Sequence, residues 1–198
     1  GRGLKQTKNP VKLFAEKAGL TVLDFESLDG ENVFETIKKL SPDLLITIAY
    51  GGLIPQKILD IPRCESINVH PSLLPLWRGA SPIQSAILNG DTKTGISLIR
   101  MTPELDAGPI FAVTETSIDP EENTLTLSNR LANMSAILMT DNIEDIVNKN
   151  TFPNEQEHQK ATYASKLTKQ DAIINWTRPA SEILKKIKAF NPWPVAHS

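Results

Sequence analysis

The chain has 198 residues, of which 40% are hydrophobic and 22% charged, a composition typical of a globular protein and not of a disordered or fibrous one. Its formal net charge of −2 gives no overall reason to expect a nucleic acid partner. The longest apolar run, residues 44–50, is too short to span a membrane, and a single cysteine, Cys64, excludes an internal disulfide and a cysteine-rich metal site.

Patterns typical of helices and strands alternate along residues 1–150. The predicted elements are a helix at 10–18, a strand at 21–25, a helix at 33–40, a strand at 44–49, a short helix at 55–59, a strand at 65–70, a helix at 81–88, strands at 94–101 and 110–118, and one long helix or two successive helices at 124–148. The continuous apolar run at 44–49 predicts a strand covered on both faces. Together these patterns favour an α/β fold with a mainly parallel sheet.

The composition turns polar between Thr151 and Thr162, which predicts a linker. Residues 180–190 then carry apolar positions at helical spacing and predict an amphipathic helix, which the prolines of 191–194 end. We therefore predict a main domain at 1–150 and a segment at 151–198 that contains the linker and this helix.

Three polar residues lie where the predicted strands end. Asn68 and His70 occupy alternate positions at the end of one strand, so their side chains point to the same face. Asp106 follows the next strand, and a carboxylate there can reach the same end of a parallel sheet. An amide and an imidazole can hold a developing oxyanion, the imidazole can move a proton, and Asp106 would set the tautomer and raise the basicity of the histidine. The set suits acyl transfer.

Each of these residues also has a structural explanation. A single histidine at a strand end is more often structural or solvated than catalytic, Asn68 can cap a turn, and Asp106 can be a turn former. The three histidines include no pair at the spacing of metal ligands, so we expect no metal site.

The charges are concentrated near the start of the chain. Residues 1–17 contain one acidic side chain, Glu16, and the following basic ones: Arg2, Lys5, Lys8, Lys12 and Lys17. Such an arm can bind nucleic acid phosphates by releasing counterions, or it can be a solvated face.

The segments Ser66–Pro75, Arg78–Gln84 and Asp106–Ile110 together resemble the formyl-tetrahydrofolate transferase family. The resemblance implies a Rossmann-like fold, with an open sheet, helices on both faces and a first strand that precedes residue 1. It also implies that Asn68, His70 and Asp106 are catalytic, that 10-formyltetrahydrofolate is the co-substrate and that no metal takes part.

The same resemblance implies folate-binding residues. Ser72, Leu73, Leu74 and Pro75 match the family's Ser-Leu-Leu-Pro signature, whose neighbourhood receives the folate. Residues 49–55 resemble a loop that, with residues 102–107, offers backbone groups to the pterin. The residues assigned from that loop are Tyr50, Gly51, Leu53 and Ile54.

Two further parts of the chain indicate the formyl acceptor. Residues 1–3 and 10–12 resemble the inserted loop with which the tRNA-directed members of the family contact the acceptor arm, and Arg2 and Lys5 are the expected contacts. Residues 163–194 resemble the region that follows the catalytic domain of those members. On this basis, residues 1–150 form a catalytic domain that is incomplete at its N-terminus, and residues 151–198 lead toward an absent C-terminal domain.

The expected reaction is transfer of a formyl group to the free amino group of initiator methionyl-tRNA, for translation initiation. We expect a monomer without a membrane partner, located in the cytoplasm, or in the mitochondrial matrix if the source is eukaryotic. Two alternatives stay open at this point: formyl transfer to a small amine or sugar nucleotide, and a catalytically silent fragment that binds folate or RNA.

Overall fold

The computed structural model describes residues 9–198. Its elements are, in chain order, α1 (Pro10–Lys17), α2 (Glu31–Leu40), β1 (Leu44–Ile48), α3 (Gln56–Leu59), β2 (Glu65–His70), β3 (Arg78–Gly79), α4 (Pro82–Asn89), β4 (Lys93–Arg100), β5 (Ile110–Ser117), α5 (Thr124–Val147), β6 (Tyr163–Ala164) and α6 (Ala180–Ala189), with short 3-10 turns at His158–Lys160 and Gln170–Ala172. None of the helices within this part of the chain is long and apolar enough to cross a membrane. Arg2 and Lys5, the predicted tRNA contacts, lie outside the described residues.

The four longest strands form one sheet in the order β1-β2-β4-β5. The α/β class is confirmed, but the expectation of a mainly parallel sheet is wrong for these strands, because only β1 and β2 pair in parallel and β4 is antiparallel to both of its neighbours. The connections explain the difference. The chain between His70 and Lys93 leaves and re-enters the sheet at the same end, and residues 101–109 contain no helix that would carry the chain back.

Two expectations about individual strands are also wrong. Residues 21–25 form no strand, because an extended segment is stabilised as a strand only by a hydrogen-bonded partner, and no described strand pairs with this one. β1 is not covered on both faces, since Ile46 and Ile48 are 38% and 62% exposed. The segment predicted as helical at 124–148 contains one helix, α5, and not two successive ones.

The hydrophobic core lies between the sheet and helices α4, α5 and α6. Its largest fully buried side chains include Ile67, Ile96, Leu98, Leu127, Leu131 and Phe190. Phe190 comes from the segment after residue 150, as does Ala189, whose carbonyl accepts a hydrogen bond from the Thr124 hydroxyl at the start of α5. Residues 151–198 therefore share a core with the preceding part of the chain, while the domain boundary at residue 150 stays a prediction.

Candidate active site

Strand β2 supplies two of the predicted catalytic residues. Ile67 and Val69 alternate with Asn68 and His70 along the strand and belong to the hydrophobic core. Because successive side chains of a strand point to opposite faces, Asn68 and His70 share the face of the sheet that does not carry this core.

Asp106 reaches both of these residues from the loop at 101–109. The carboxyl end of β4 lies beside Ser66, where the Met101 N–H donates to the Ser66 carbonyl, so the reason for expecting Asp106 at the end of a parallel sheet was wrong. The loop nevertheless places Asp106 Oδ1 3.0 Å from the donating Nδ2 of Asn68, and Asp106 Oδ2 3.6 Å from Nδ1 of His70. The structure thus brings the three residues together, because the loop at 101–109 folds back toward Asn68 and His70.

The imidazole of His70 is buried and held in one tautomer. Its Nε2 lies 2.9 Å from the carbonyl oxygen of Trp77, and because a carbonyl only accepts hydrogen bonds, Nε2 carries the proton. The tautomer is therefore set by Trp77 and not, as expected from the sequence, by Asp106. Nδ1, on the side of Asp106, is left as the basic nitrogen.

Two opposing effects act on the pKa of His70. Burial lowers this pKa below its ordinary value, while the Asp106 carboxylate and the Trp77 carbonyl work in the opposite direction and only partly compensate. His70 is consequently neutral at pH 7. Its imidazolium, once formed, faces a carboxylate.

Gly79 supplies a further donor to Asp106. The Gly79 N–H donates to Asp106 Oδ2 at 2.8 Å, and β3 is held in place by its parallel pairing with β6. Gly79 has a φ of +114°, and a Cβ built on it would lie 2.6 Å from the carbonyl oxygen of Ala164. Only glycine fits here without strain, so the pairing of β3 with β6 fixes one of the contacts of the carboxylate.

Two buried polar residues behind Asp106 were not predicted. Gln156 Nε2 donates to the carbonyl oxygens of Asp106 and Gly108 at 2.9 and 2.7 Å, and Gln156 Oε1 accepts from the Arg78 guanidinium at 2.6 and 3.2 Å. Arg78 is 4% exposed and Gln156 is 5% exposed. Arg78 lies in a segment that carried the family resemblance, but no pattern in the sequence distinguishes Gln156 from its polar neighbours.

A small cleft opens beside Asn68 and Asp106. Its lining comes from Gly52, Leu53, Ile54, Leu59, Asn68, Ile99, residues 101–106 and Gly108. Of the predicted folate-binding residues, Leu53 and Ile54 therefore line the same cleft as Asn68 and Asp106. Tyr50 and Gly51 belong to the same loop as Leu53 and are exposed beside it.

The other predicted folate-binding residues form a turn that does not line this cleft. Ser97 Oγ donates to the Ser72 carbonyl at 2.8 Å and accepts from the Leu74 N–H at 3.1 Å, which ties the turn to β4. Ser72 and Leu74 are buried, and Leu73 and Pro75 are partly buried. In this structure the turn supports the chain that follows His70.

A larger groove of about 580 Å³ lies between α4 and α6, lined by Asn175, Arg178 and Glu182 among others. Its Arg178 and Glu182 pair with each other, and none of the three predicted catalytic residues lines it. We place the candidate site in the smaller cleft because Asn68 and Asp106 line it and His70 lies directly behind Asp106, 3.6 Å from its Oδ2. Within residues 9–198, no three His, Cys, Asp or Glu side chains come close enough to hold a metal ion.

Comparisons of the sequence identify its relatives. Residues 1–143 match the formyl transferase family, and residues 166–198 match the formyl transferase C-terminal domain. Over 198 residues the chain is 40% identical to a methionyl-tRNA formyltransferase of Methylococcus capsulatus and 42% identical to one of Pseudomonas putida. The match takes in the whole of this chain and 64% of each relative, so the chain spans less than two thirds of their length.

Solved structures with the same fold are also found. A sugar N-formyltransferase from a Shewanella species superposes with a TM-score of 0.76 at 22% identity, covering 92% of this chain and 72% of its own. HypX from Aquifex aeolicus, solved in complex with tetrahydrofolic acid, superposes with a TM-score of 0.73 at 19% identity, covering 83% of this chain and 29% of its own. These likenesses confirm the Rossmann-like fold class. Because the family match extends over most of its length, the chain belongs to the formyl transferase family.

Proposed function

We propose that the protein transfers the formyl group of 10-formyltetrahydrofolate to the free amino group of methionyl-tRNA, for translation initiation. The observation that carries this proposal is the convergence of Asn68, His70 and Asp106, with Asn68 and Asp106 lining one cleft. The choice of acceptor is supported by relatives named methionyl-tRNA formyltransferases, which are similar along the whole chain.

The lining of the cleft has side chains and backbone groups of the kinds that bind a folate. Leu53, Ile54 and Ile99 offer apolar surface for a flat ring, and residues 102–106 offer backbone groups that can hydrogen-bond to its polar edge. HypX, which shares the fold, binds tetrahydrofolic acid. Direct contacts of the folate with Tyr50 and Gly51, and with the turn Ser72–Pro75, stay predictions.

Each of the three residues has its own role in the proposed reaction. Asn68 uses one N–H on Asp106, and its second N–H can donate to the oxyanion that forms when the methionyl amine attacks the formyl carbon. Neutral His70 takes a proton from the attacking nitrogen at Nδ1 and passes it to N10 of the folate as the bond between the formyl carbon and N10 breaks. Asp106 stabilises the intervening imidazolium. Neither a metal nor a covalent enzyme intermediate is required.

The variant Asn68→Ala in the full-length protein tests this assignment. Loss of one oxyanion donor should lower kcat on the order of 10²–10³-fold. The matched control is Asn32→Ala, which removes an exposed amide from α2 and should leave kcat unchanged. If Asn68→Ala kept most of its activity in a formyl transfer assay, the proposed role of the amide would be wrong.

The acceptor is tested separately by offering methionyl-tRNA, an amino sugar nucleotide and a small amine under the same conditions. Transfer only to the sugar nucleotide or small amine would overturn the proposed acceptor and leave the family reaction in place. Folate binding without transfer to any acceptor would favour the catalytically silent alternative.

The basic residues at the start of the chain have their own test. If Arg2 and Lys5 contact tRNA phosphates, the double variant Arg2→Ala/Lys5→Ala should bind tRNA more weakly and with a flatter dependence on salt concentration. An unchanged salt dependence would assign them to a solvated face. The monomeric state, and the cytoplasmic location or the mitochondrial matrix of a eukaryote, stay predictions.

A further inference from the structure

One side-chain amide holds the backbone on both sides of the proposed catalytic carboxylate. Nε2 of Gln156 donates to the carbonyl oxygen of Asp106 at 2.9 Å and to that of Gly108 at 2.7 Å. Gln156 is 5% exposed, so the two carbonyls would lose their hydrogen bonds in the protein interior if this amide were removed.

The orientation of the Gln156 amide is fixed by Arg78. A guanidinium only donates hydrogen bonds, so the atom of Gln156 that faces Nε and a terminal nitrogen of Arg78 must be the amide oxygen. The amide NH₂ is consequently directed at the loop. The same terminal nitrogen of Arg78 lies 3.0 Å from Nδ1 of His158, which holds the guanidinium from another side.

The conformation and contacts of Asp106 explain why the loop at 101–109 needs the hydrogen bonds from Gln156. Asp106 has a φ of +50°, a left-handed conformation that single Asp residues adopt at modest cost when their surroundings fix it. Its carboxylate must meet Asn68 Nδ2, the Gly79 N–H and the imidazole of His70 at once. A displacement of the backbone at Asp106 disturbs all three contacts together.

We propose that Gln156, oriented by Arg78, is a positioning residue that acts on the reaction through Asp106. Its effect on the rate rests on the proposed function. Gln156 lies between the ranges matched to the two parts of the family, residues 1–143 and 166–198, in the segment that its composition predicts to be a linker. This segment is therefore part of the scaffold of the active site.

The discriminating variant is Gln156→Glu in the full-length protein. The carboxylate keeps an acceptor for Arg78, but it turns a second oxygen toward the carbonyls of Asp106 and Gly108 and so repels the loop that the amide held. We expect kcat to fall on the order of 10²-fold, the effect of a displacement of about 1 Å at a reacting group, with KM for methionyl-tRNA little changed. The matched control, Asn154→Ala, removes an exposed amide two residues away and should leave kcat unchanged.

A double-mutant cycle separates positioning from general damage to the fold. Because Gln156 acts through Asp106, Gln156→Glu should cause no further loss of kcat in an Asp106→Asn background. An equal fold-loss in both backgrounds would show that the two residues act independently and would overturn the proposal.

The third readout does not depend on activity. Selective ¹³C labelling of histidine Cε1 gives the pKa of His70 by NMR, with the signal assigned through its loss in His70→Gln. If the carboxylate is displaced, the pKa of His70 should move down in Gln156→Ala, in the direction produced by Asp106→Asn. This readout uses Gln156→Ala because the new carboxylate of Gln156→Glu would itself raise the pKa of a nearby histidine. An unchanged pKa in folded Gln156→Ala would overturn the inference, whereas a wild-type protein without formyl transfer would overturn only the proposed function.

Discussion

The variant Asp106→Asn tests the arrangement of the site most directly, because the new side chain keeps the shape of the old one and removes its charge. Asn also tolerates the left-handed conformation of residue 106, where φ is +50°, so backbone strain does not complicate the result. The aspartate accepts hydrogen bonds from Asn68 Nδ2 and the Gly79 N–H, one on each oxygen. An asparagine has only one acceptor oxygen, and its NH₂ group must face one of these donors.

The magnitude of the effect on stability follows from that mismatch. A buried donor left without its acceptor costs about 1–3 kcal/mol, and the side chain of Asp106 is only 9% exposed. We therefore expect the free energy of unfolding to fall by about 1–3 kcal/mol. The control Asp141→Asn removes the same charge from an exposed position of α5 and should change this free energy by less than about 0.5 kcal/mol.

The same variant should also lower the pKa of His70, because Asp106 is the carboxylate that opposes the effect of burial. A folded-state pKa below the ordinary value means that the folded protein binds fewer protons than the unfolded chain. Stability is then lost as the pH falls from about 6.5 to the folded-state pKa, at most about 1.4 kcal/mol for each unit of difference. In Asp106→Asn, the pH range over which stability is lost should extend to lower pH.

Three measurements decide the outcome: NMR titration of His70, chemical unfolding at pH 5–8, and formyl transfer. If His70 is the proton carrier, kcat should fall by about 10²–10⁴-fold, the usual contribution of such a group. A His70 pKa that stayed constant or rose in Asp106→Asn would refute the view that this carboxylate stabilises the imidazolium.

Three further substitutions test the support around the site. Ser97→Ala leaves the Leu74 N–H and the Ser72 carbonyl without their hydrogen bonds and should lower the free energy of unfolding by about 1–3 kcal/mol, measured by urea denaturation; an unaffected midpoint would contradict it. Phe190→Ala empties a buried site in the core and should cost about 3–5 kcal/mol in the same assay, and a loss below 1 kcal/mol would show that the C-terminal segment adds little to the core. Gly79→Ala forces a side chain into a φ of +114° and should lower both Tm and kcat; an active variant with an unchanged Tm would contradict the need for glycine.

The individual elements could largely be predicted from the sequence, because the spacing of apolar residues is a local property. Residues 65–70 were predicted as a strand and form β2 with the same bounds. The direction of β4 could not be predicted in this way, since it depends on where the connection between His70 and Lys93 enters and leaves the sheet. A short apolar run such as residues 21–25 becomes a strand only if a partner is available, which the local pattern cannot indicate.

Only part of the candidate site could be predicted from the sequence. The resemblance to a family named Asn68, His70 and Asp106, and the structure brings these three residues together, although their catalytic roles remain a proposal. Gln156 could not be found, because a buried glutamine in a polar segment has the same sequence signal as an exposed one. Its burial depends on a pairing with Arg78, which lies far away in the sequence.

The geometry of Asp106 constrains how it can act on His70. Both carboxylate oxygens already accept hydrogen bonds, from Asn68 and from the Gly79 N–H, so the carboxylate cannot turn toward Nδ1 of His70 without weakening one of them. At 3.6 Å, Oδ2 is too far from Nδ1 for a good hydrogen bond but close enough for strong attraction to an imidazolium, roughly 4 kcal/mol for unit charges 4 Å apart at an effective dielectric constant of about 20. Burial works against this attraction and keeps the resting imidazole neutral. In the proposed mechanism, Asp106 therefore contributes mainly through its charge at the moment when His70 carries the proton, and its fixed position is what makes that contribution available without rearrangement.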